Sequence, residues 1–137
     1  MRYILDKENL AISYTTKKAP IKDGVFLHNI KNQILGKDYD LNIYFVGTKL
    51  MKSVNKKYRK KDYVTDILSF PYEDFGEIYI CGDKVIQKAK SFNTTTKNYL
   101  QYLFVHGMIH LLGHDHGEQM DNLEKKYTKK LNIFYPY

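Results

Sequence analysis

The sequence predicts an α/β (α+β) fold, in which a small mixed β-sheet of about four strands is packed by about five helices. Short β-rich runs alternate along the chain with longer segments of helical periodicity. The three prolines lie at the edges of these segments, and no repeat, linker or low-complexity stretch divides the 137 residues. With 43% hydrophobic residues, the chain can bury a core, so we expect residues 1–137 to form one domain.

The first half of the chain contains the weakest strand signals and the first helix. Residues 2–5 are predicted to form a short strand, and residues 10–14 are a candidate for another. Residues 22–35 carry apolar side chains near helical spacing and are followed by Gly36, which favours a helix that ends there. Residues 41–46 alternate and are rich in β-formers, which predicts a strand.

A helix and a β-hairpin are predicted next. Thr48 is a candidate N-cap for a helix over about residues 49–58. Residues 67–70 and 77–81 are predicted strands, and residues 73–76 between them are compatible with a hairpin turn.

Three helices are predicted for the last third of the chain. Asp83 is a candidate cap for a helix that continues to about residue 92. Residues 95–112 carry an apolar face together with His106 and His110, and residues 117–130 form the last predicted helix.

Composition narrows the classes of partner and compartment. The formal net charge of +7 and pI near 9.3 favour a polyanionic partner, of which nucleic acid is the commonest. Cys81 is the only cysteine, which excludes an internal disulfide and fits a reducing compartment. The N-terminus becomes charged too early for a secretory signal, and no apolar run approaches a membrane span. We therefore expect a cytoplasmic protein that does not bind membranes.

The strongest functional signal is the spacing H-x-x-x-H-x-x-G-x-x-H, formed by His106, His110, Gly113 and His116. On a helix, His106 and His110 project from one face. Gly113 can adopt positive φ and end the helix, so that the chain turns back and His116 reaches the same point. Three neutral imidazoles with an open fourth position are typical of a catalytic zinc site, and we expect one Zn²⁺ per chain.

The residue after the first histidine distinguishes this pattern from a metallopeptidase. In H-E-x-x-H peptidases a glutamate at that position acts as general base, whereas here the position holds Gly107. The zinc site on this helix is thus metalloprotease-like in the spacing of its ligands, but the glutamate that acts as general base in peptidases is absent. Either the substrate is not a peptide or another group supplies the base.

A basic segment provides the second signal. Five of the six residues from Lys56 to Lys61 are cationic, and Tyr58 interrupts them. Treated as a basic loop, the segment could bind RNA phosphates through Lys56, Lys57, Lys60 and Lys61, while Tyr58 stacks on a base. Arg59 could hold one phosphate bidentately, with its side chain facing solvent. The alternative is a solvated basic turn.

Taken together, the two segments resemble the YbeY family of bacterial endoribonucleases, also described as rRNA maturation factors. The ordered match extends over roughly residues 41–124 and comprises Asn55, Tyr58, Arg59, Thr65-Asp66-Ile67-Leu68-Ser69-Phe70-Pro71, Gly76-Glu77-Ile78-Tyr79-Ile80 and the histidine-rich stretch. Two positions depart from the family pattern: His114 stands where tyrosine is usual, and Glu77 stands where aspartate is usual.

The resemblance implies a zinc-dependent endoribonuclease that cuts single-stranded RNA in rRNA maturation and ribosome quality control. It implies His106, His110 and His116 as zinc ligands, and it places Arg59 at the position linked to catalysis or RNA contact. It also implies single-stranded or ribosomal RNA as substrate, with the ribosome or ribosomal proteins as further candidate partners and no specificity for DNA.

Several alternatives stay open at the level of sequence. Asp115, His114 and Asp66 are unranked candidates for the general base, and the 2′-hydroxyl of the substrate could itself be the nucleophile. A zinc metallopeptidase-like hydrolase shares the ligand spacing. A non-enzymatic RNA-binding assembly factor with structural zinc is favoured if His114 supplies a fourth ligand.

Overall fold

The structure, a computed structural model, describes residues 2–137. These residues form five strands and five helices, which confirms the predicted fold class. In chain order they are β1 (Arg2–Lys7), β2 (Leu10–Tyr14), α1 (Val25–Ile34), β3 (Asp40–Val46), α2 (Thr48–Arg59), β4 (Ile67–Pro71), β5 (Phe75–Cys81), α3 (Gly82–Ser91), α4 (Thr96–Leu111) and α5 (Glu118–Leu131). The sheet has five strands rather than about four, because both N-terminal candidates pair with each other.

The sheet is mixed, with the strand order β1-β2-β3-β5-β4. Strands β2, β3 and β5 are parallel, as expected for strands joined by long connections that contain helices. Strand β4 returns antiparallel to β5 through a tight turn, in which the Tyr72 amide donates to the Phe75 carbonyl at 2.8 Å. The predicted hairpin is therefore present, and β4 lies at one edge of the sheet.

Helix α4 lies at the centre of the main core. Its sequence is apolar on nearly every side, and a helix of that kind is stable only when it is surrounded by other elements. It contacts β4, α1, α3 and α5. The inward side chains of the sheet pack against it, among them Leu41, Ile43, Phe45, Ile78 and Ile80. The helix that carries the histidines is thus held rigidly from several directions.

Helix α2 covers part of the opposite face of the sheet. Alternation along a strand places Val46 and Phe45 on opposite faces. Val46 joins Met51, Leu68 and Cys81 in a small second core under α2. Cys81 is fully buried there, as expected for a small apolar residue, and burial raises the pKa of its thiol.

Two predicted helix caps are wrong, and one helix end is as predicted. Thr48 is the first residue of α2 behind Gly47, and Asp83 lies within the first turn of α3. Neither helix has a side-chain cap, whereas the Thr95 hydroxyl accepts from the Asn98 amide at the start of α4. Gly113 has φ +96° just beyond α4, as the turn-back requires. Within residues 2–137, no helix has the length and apolarity of a membrane span.

Candidate metal centre

Three histidines converge at the C-terminal end of α4. His106 and His110 project from successive turns of this helix, and His116 approaches from the segment after it. One ring nitrogen from each lies within 4.8 Å of the others, so a single ion could contact all three. The intervening turn is made by Gly113, and Gly117 follows with φ +151°, a conformation that other residues rarely adopt. The structure thus brings together the predicted ligand set.

Hydrogen bonds orient two of these imidazoles. The Nδ1 of His106 lies 2.9 Å from a carboxylate oxygen of Glu124, and the Nδ1 of His110 lies 2.8 Å from the backbone carbonyl of His114. Both partners are acceptors, so each Nδ1 carries the proton and donates. The lone pair of each ring then lies on Nε2 and is available for a metal. Carboxylate and carbonyl partners of this kind are typical of metal-binding histidines.

Glu124 is a functional residue that the sequence analysis did not identify. It is 3% exposed, and its other oxygen accepts from the Tyr102 hydroxyl at 2.6 Å. Burial acts to raise the pKa of Glu124, but the hydrogen bonds from His106 and Tyr102 outweigh it and hold the pKa below its usual value. A signal existed, because Glu124 lies on the inward stripe of α5, one turn after Met120 and one turn before Thr128.

The electrostatics of the cluster favour a neutral imidazole at His110. Burial lowers the pKa of His110, and the neighbouring His106 and His116 lower it further. An imidazole must be neutral to coordinate a metal. The chemistry of this donor set, three imidazole nitrogens around one point, fits a zinc ion with one position left for water or substrate.

The structure also explains why Gly107 stands where peptidases have glutamate. A Cβ built at this position would lie 2.5 Å from the Ile67 side chain and 3.1 Å from the Ser69 hydroxyl. The same hydroxyl donates to the Gly107 carbonyl at 3.0 Å. Helix α4 therefore packs so closely on β4 that a side chain at residue 107 would have to displace the Ile67 side chain and crowd the Ser69 hydroxyl.

The histidines open onto a groove of about 580 Å³ along β4. Its walls comprise Asn55, Arg59, Lys61, Tyr63, Thr65, Asp66, Ile67, Leu68, Ser69, Pro71, His106, His110, Gly113, His114, Asp115 and His116. The two segments singled out in the sequence thus form opposite walls of one cavity, which is large enough for part of a nucleotide chain.

Arg59 is exposed, as expected, but its side chain is also anchored. Its Nη2 donates to the Ser69 carbonyl at 2.8 Å, and its guanidinium carbon lies 5.0 Å from the centre of the Phe70 ring. Both contacts fix the side chain at the wall of the groove. Since a guanidinium has five N–H donors, further donors remain for a phosphate.

The basic segment is not a loop throughout. Lys56 and Lys57 lie in the last turn of α2, which favours cations at its C-terminal end, and Lys60 ends the helix with φ +58°. Lys61 alone of these four lysines lines the groove, whereas the others are exposed around it.

The three candidate bases occupy different environments. Asp66 accepts from the Tyr99 hydroxyl at 2.8 Å and from Thr65 at 3.5 Å, so both of its oxygens are engaged. Asp115 and His114 line the groove beside the ligands. The side chain of His114 lies outside the ligand group that the described residues form, and its backbone orients His110 instead.

Comparisons with known proteins find relatives over most of the chain. A family model described as Endoribonuclease YbeY matches residues 6–133. Among curated proteins, an Endoribonuclease YbeY of Ureaplasma urealyticum serovar 10 is 38% identical, with 72% of each chain covered. That of Mycoplasmopsis synoviae is 34% identical, covering 80% of this chain and 81% of its own. The solution structure of TM1509 from Thermotoga maritima is similar with a TM-score of 0.62 and 29% identity, over 89% of this chain and 88% of that one.

Proposed function

This chain belongs to the YbeY endoribonuclease family, and we propose that it is a zinc-dependent endoribonuclease that cuts single-stranded RNA. The observation that carries the proposal is the meeting of a three-histidine ligand group with an anchored arginine in one groove. The first can hold a metal ion and the second can hold a phosphate, and together they can promote hydrolysis of a phosphodiester.

The three histidines and Arg59 have different roles in the proposed reaction. His106, His110 and His116 would hold a zinc ion, which when bound supplies Lewis acidity toward water or a phosphoryl oxygen. Arg59 binds the scissile phosphate and offsets the negative charge that develops on it. Because Ser69 and Phe70 already hold this guanidinium in place, little conformational entropy is lost when RNA binds.

For proton transfer we favour two of the three candidates that the sequence left equal. Asp66 is held by Tyr99 and Thr65, which makes it a positioning group of the groove wall. Asp115 and His114 are the better candidates for a general base, since both line the groove beside the ligands. Attack by the substrate's own 2′-hydroxyl remains a second route, in which either residue could take the hydroxyl proton.

A peptide is a poorer substrate for this groove. Peptidases often bind substrate as an added strand along a free sheet edge. Here the Ser69 carbonyl of the edge strand β4 is occupied by Arg59, and the strand ends at Pro71, which has no N–H to donate. Together with Gly107, this disfavours the metallopeptidase alternative.

A purely structural zinc is also disfavoured. Structural sites are normally closed by four protein ligands, whereas the ligand group here has three members and lies on an open groove. The non-enzymatic assembly-factor alternative would need His114 to turn inward and close the site.

We further propose that this single domain acts in the cytoplasm on ribosomal RNA, in rRNA maturation and ribosome quality control. The +7 charge supports binding to a large polyanion, and the ribosome or its proteins are the partners that such a substrate brings. No specificity for DNA is expected, because DNA lacks the 2′-hydroxyl that acts as nucleophile in the second of the two routes.

The test is an RNase assay on the purified protein and its His110→Ala variant, with labelled single-stranded RNA and added zinc. We expect the wild type to cut and the variant, purified by the same protocol, to be inactive. A parallel casein digest should stay intact. Equal RNA cleavage by both proteins would show that the activity is a contaminant, and casein digestion would support the peptidase alternative.

A further inference from the structure

We propose that a row of aromatic side chains on the outer face of the sheet is a stacking platform for the bases of single-stranded RNA leaving the groove. This inference rests on the proposed function and adds a surface for the substrate. The row, called here the aromatic strip, consists of Tyr58, Phe70, Tyr79 and Tyr44.

The strip is continuous across three strands and a helix end. Its successive ring centres lie 5.5 Å apart from Tyr58 to Phe70, 5.8 Å from Phe70 to Tyr79, and 5.0 Å from Tyr79 to Tyr44. Helix α2 buries Leu68 and Cys81 on the face of the sheet that carries the strip, but the side chains of the strip stay partly exposed. Tyr58 is 58% exposed, an unusual position for a large ring that packs on others.

One end of the strip joins the catalytic groove. The Arg59 guanidinium lies over the Phe70 ring and also lines the groove, so it stands at the boundary of the two surfaces. A strand whose phosphate is held by Arg59 would pass directly onto Phe70 and Tyr58. Continuity with the proposed substrate site therefore favours RNA as the occupant.

The charges around the strip also fit RNA. The Lys57 ammonium lies 5.2 Å from the centre of the Tyr58 ring, and with Arg59 it places two cations beside the two rings nearest the groove. Cations beside stacking rings are the usual arrangement in proteins that bind single strands.

A carboxylate flanks the strip and favours bases over phosphates along it. Glu77 lies opposite Phe70 in the β4–β5 register, and its carboxylate accepts from the Tyr44 hydroxyl at 3.0 Å. A carboxylate repels phosphate but accepts hydrogen bonds from the amino groups of bases. The backbone of the RNA would thus follow the cations while its bases face the sheet.

The experiment uses a single-stranded RNA of about 10 nucleotides with 2-aminopurine at one position, because its fluorescence is quenched when the base stacks. Binding is measured in chelator, so that no strand is cut. The variants are Tyr58→Leu and Phe70→Leu. The matched control is Tyr127→Leu on α5, since Tyr127 also has a lysine, Lys126, at 5.5 Å from its ring centre.

We expect Tyr58→Leu to weaken RNA binding about tenfold, because the loss of one stacked base has an effect of that size on affinity. The variant should also lose the quenching of 2-aminopurine fluorescence. The salt dependence should stay unchanged, since no cation is removed. Tyr127→Leu should bind as the wild type does. Phe70→Leu should behave as Tyr58→Leu does while its melting temperature shows it folded.

The inference is wrong if Tyr58→Leu and Phe70→Leu bind and quench like the wild type. If the wild type cuts RNA but never quenches 2-aminopurine, the proposed function stands and the inference about the strip is wrong. If the wild type neither binds nor cuts RNA, both the strip and the proposed function are refuted.

Discussion

Replacing Glu124 with glutamine tests how the site prepares its ligands. The carboxylate accepts from both His106 and Tyr102 while 3% exposed. A glutamine of the same shape has one acceptor oxygen for two donors and no charge. If its amide nitrogen faces His106, the Nδ1 must accept, and the proton moves to the Nε2 that should bind metal. If its oxygen faces His106, the ring loses its anionic partner. Both arrangements weaken metal binding.

The size of the effect follows from comparable sites. Loss of such an outer partner typically lowers metal affinity by about 10- to 100-fold, or about 1.4–2.7 kcal/mol. The metal-free protein should also lose about 1–3 kcal/mol of unfolding free energy, because a buried donor goes unpaired. Zinc affinity is measured by competition with a chelating dye at neutral pH, and stability by urea unfolding in chelator.

Two variants serve as controls for Glu124→Gln. Asp121→Asn makes the same charge change on the exposed side of α5 and should leave zinc affinity unchanged. Tyr102→Phe removes the other hydrogen bond to Glu124 and should lower stability while keeping zinc affinity. Wild-type zinc affinity in Glu124→Gln, or an equal loss in Asp121→Asn, would refute the orienting role of the carboxylate.

Four further predictions follow from the same geometry. Gly107→Ala should lower the melting temperature, although alanine in a helix normally stabilises by about 1 kcal/mol, because its Cβ meets β4. Arg59→Ala should impair RNA cleavage far more than it lowers unfolding free energy, as shown by parallel kinetics and melts. Replacing Lys60 and Lys61 with alanine should flatten the slope of log affinity against log salt by about 1. The metal-free protein should lose stability as pH falls below about 6.5, because the folded pKa of His110 is lowered and the unfolded chain binds the proton more readily.

Each of these predictions has its own control. A higher melting temperature for Gly107→Ala would show that the helix has room at this point. The Arg59→Lys variant keeps the positive charge but loses the planar pair of N–H donors of the guanidinium. Full activity in this variant would contradict bidentate binding of the phosphate by Arg59. Lys129→Ala with Lys130→Ala removes the same charge from α5, and an equal change in slope would mean that RNA approaches elsewhere. Stability that is flat with pH in the wild type, or equally steep in His110→Gln, would contradict the assignment to His110.

The part of the site encoded by local spacing could be predicted from the sequence. Helical periodicity places His106 and His110 on one face, and a glycine beyond the helix end lets His116 return. These relations depend on residues close in the chain, so the ligand group follows from the sequence alone.

The rest depends on contacts between distant elements. Glu124 becomes a partner of His106 only because α5 packs against α4. Arg59 finds Ser69 only because β4 folds back beside the end of α2. Lys56 and Lys57 lie within the helix predicted over about residues 49–58, whereas Arg59, which is expected in a basic loop, is the last residue of α2. Lysine and arginine are good helix formers and are favoured at a helix C-terminus, so the basic segment continues the helix.

Zinc titration of RNA cleavage tests the central claim most directly, namely that the three histidines hold the metal that RNA cleavage requires. The chelator-stripped protein should be inactive, and activity should rise with added zinc to a plateau at about one ion per chain. His116→Ala should need far more zinc and reach a lower plateau. Full activity in the stripped protein, or a His116→Ala curve that superposes on the wild type, would contradict the account.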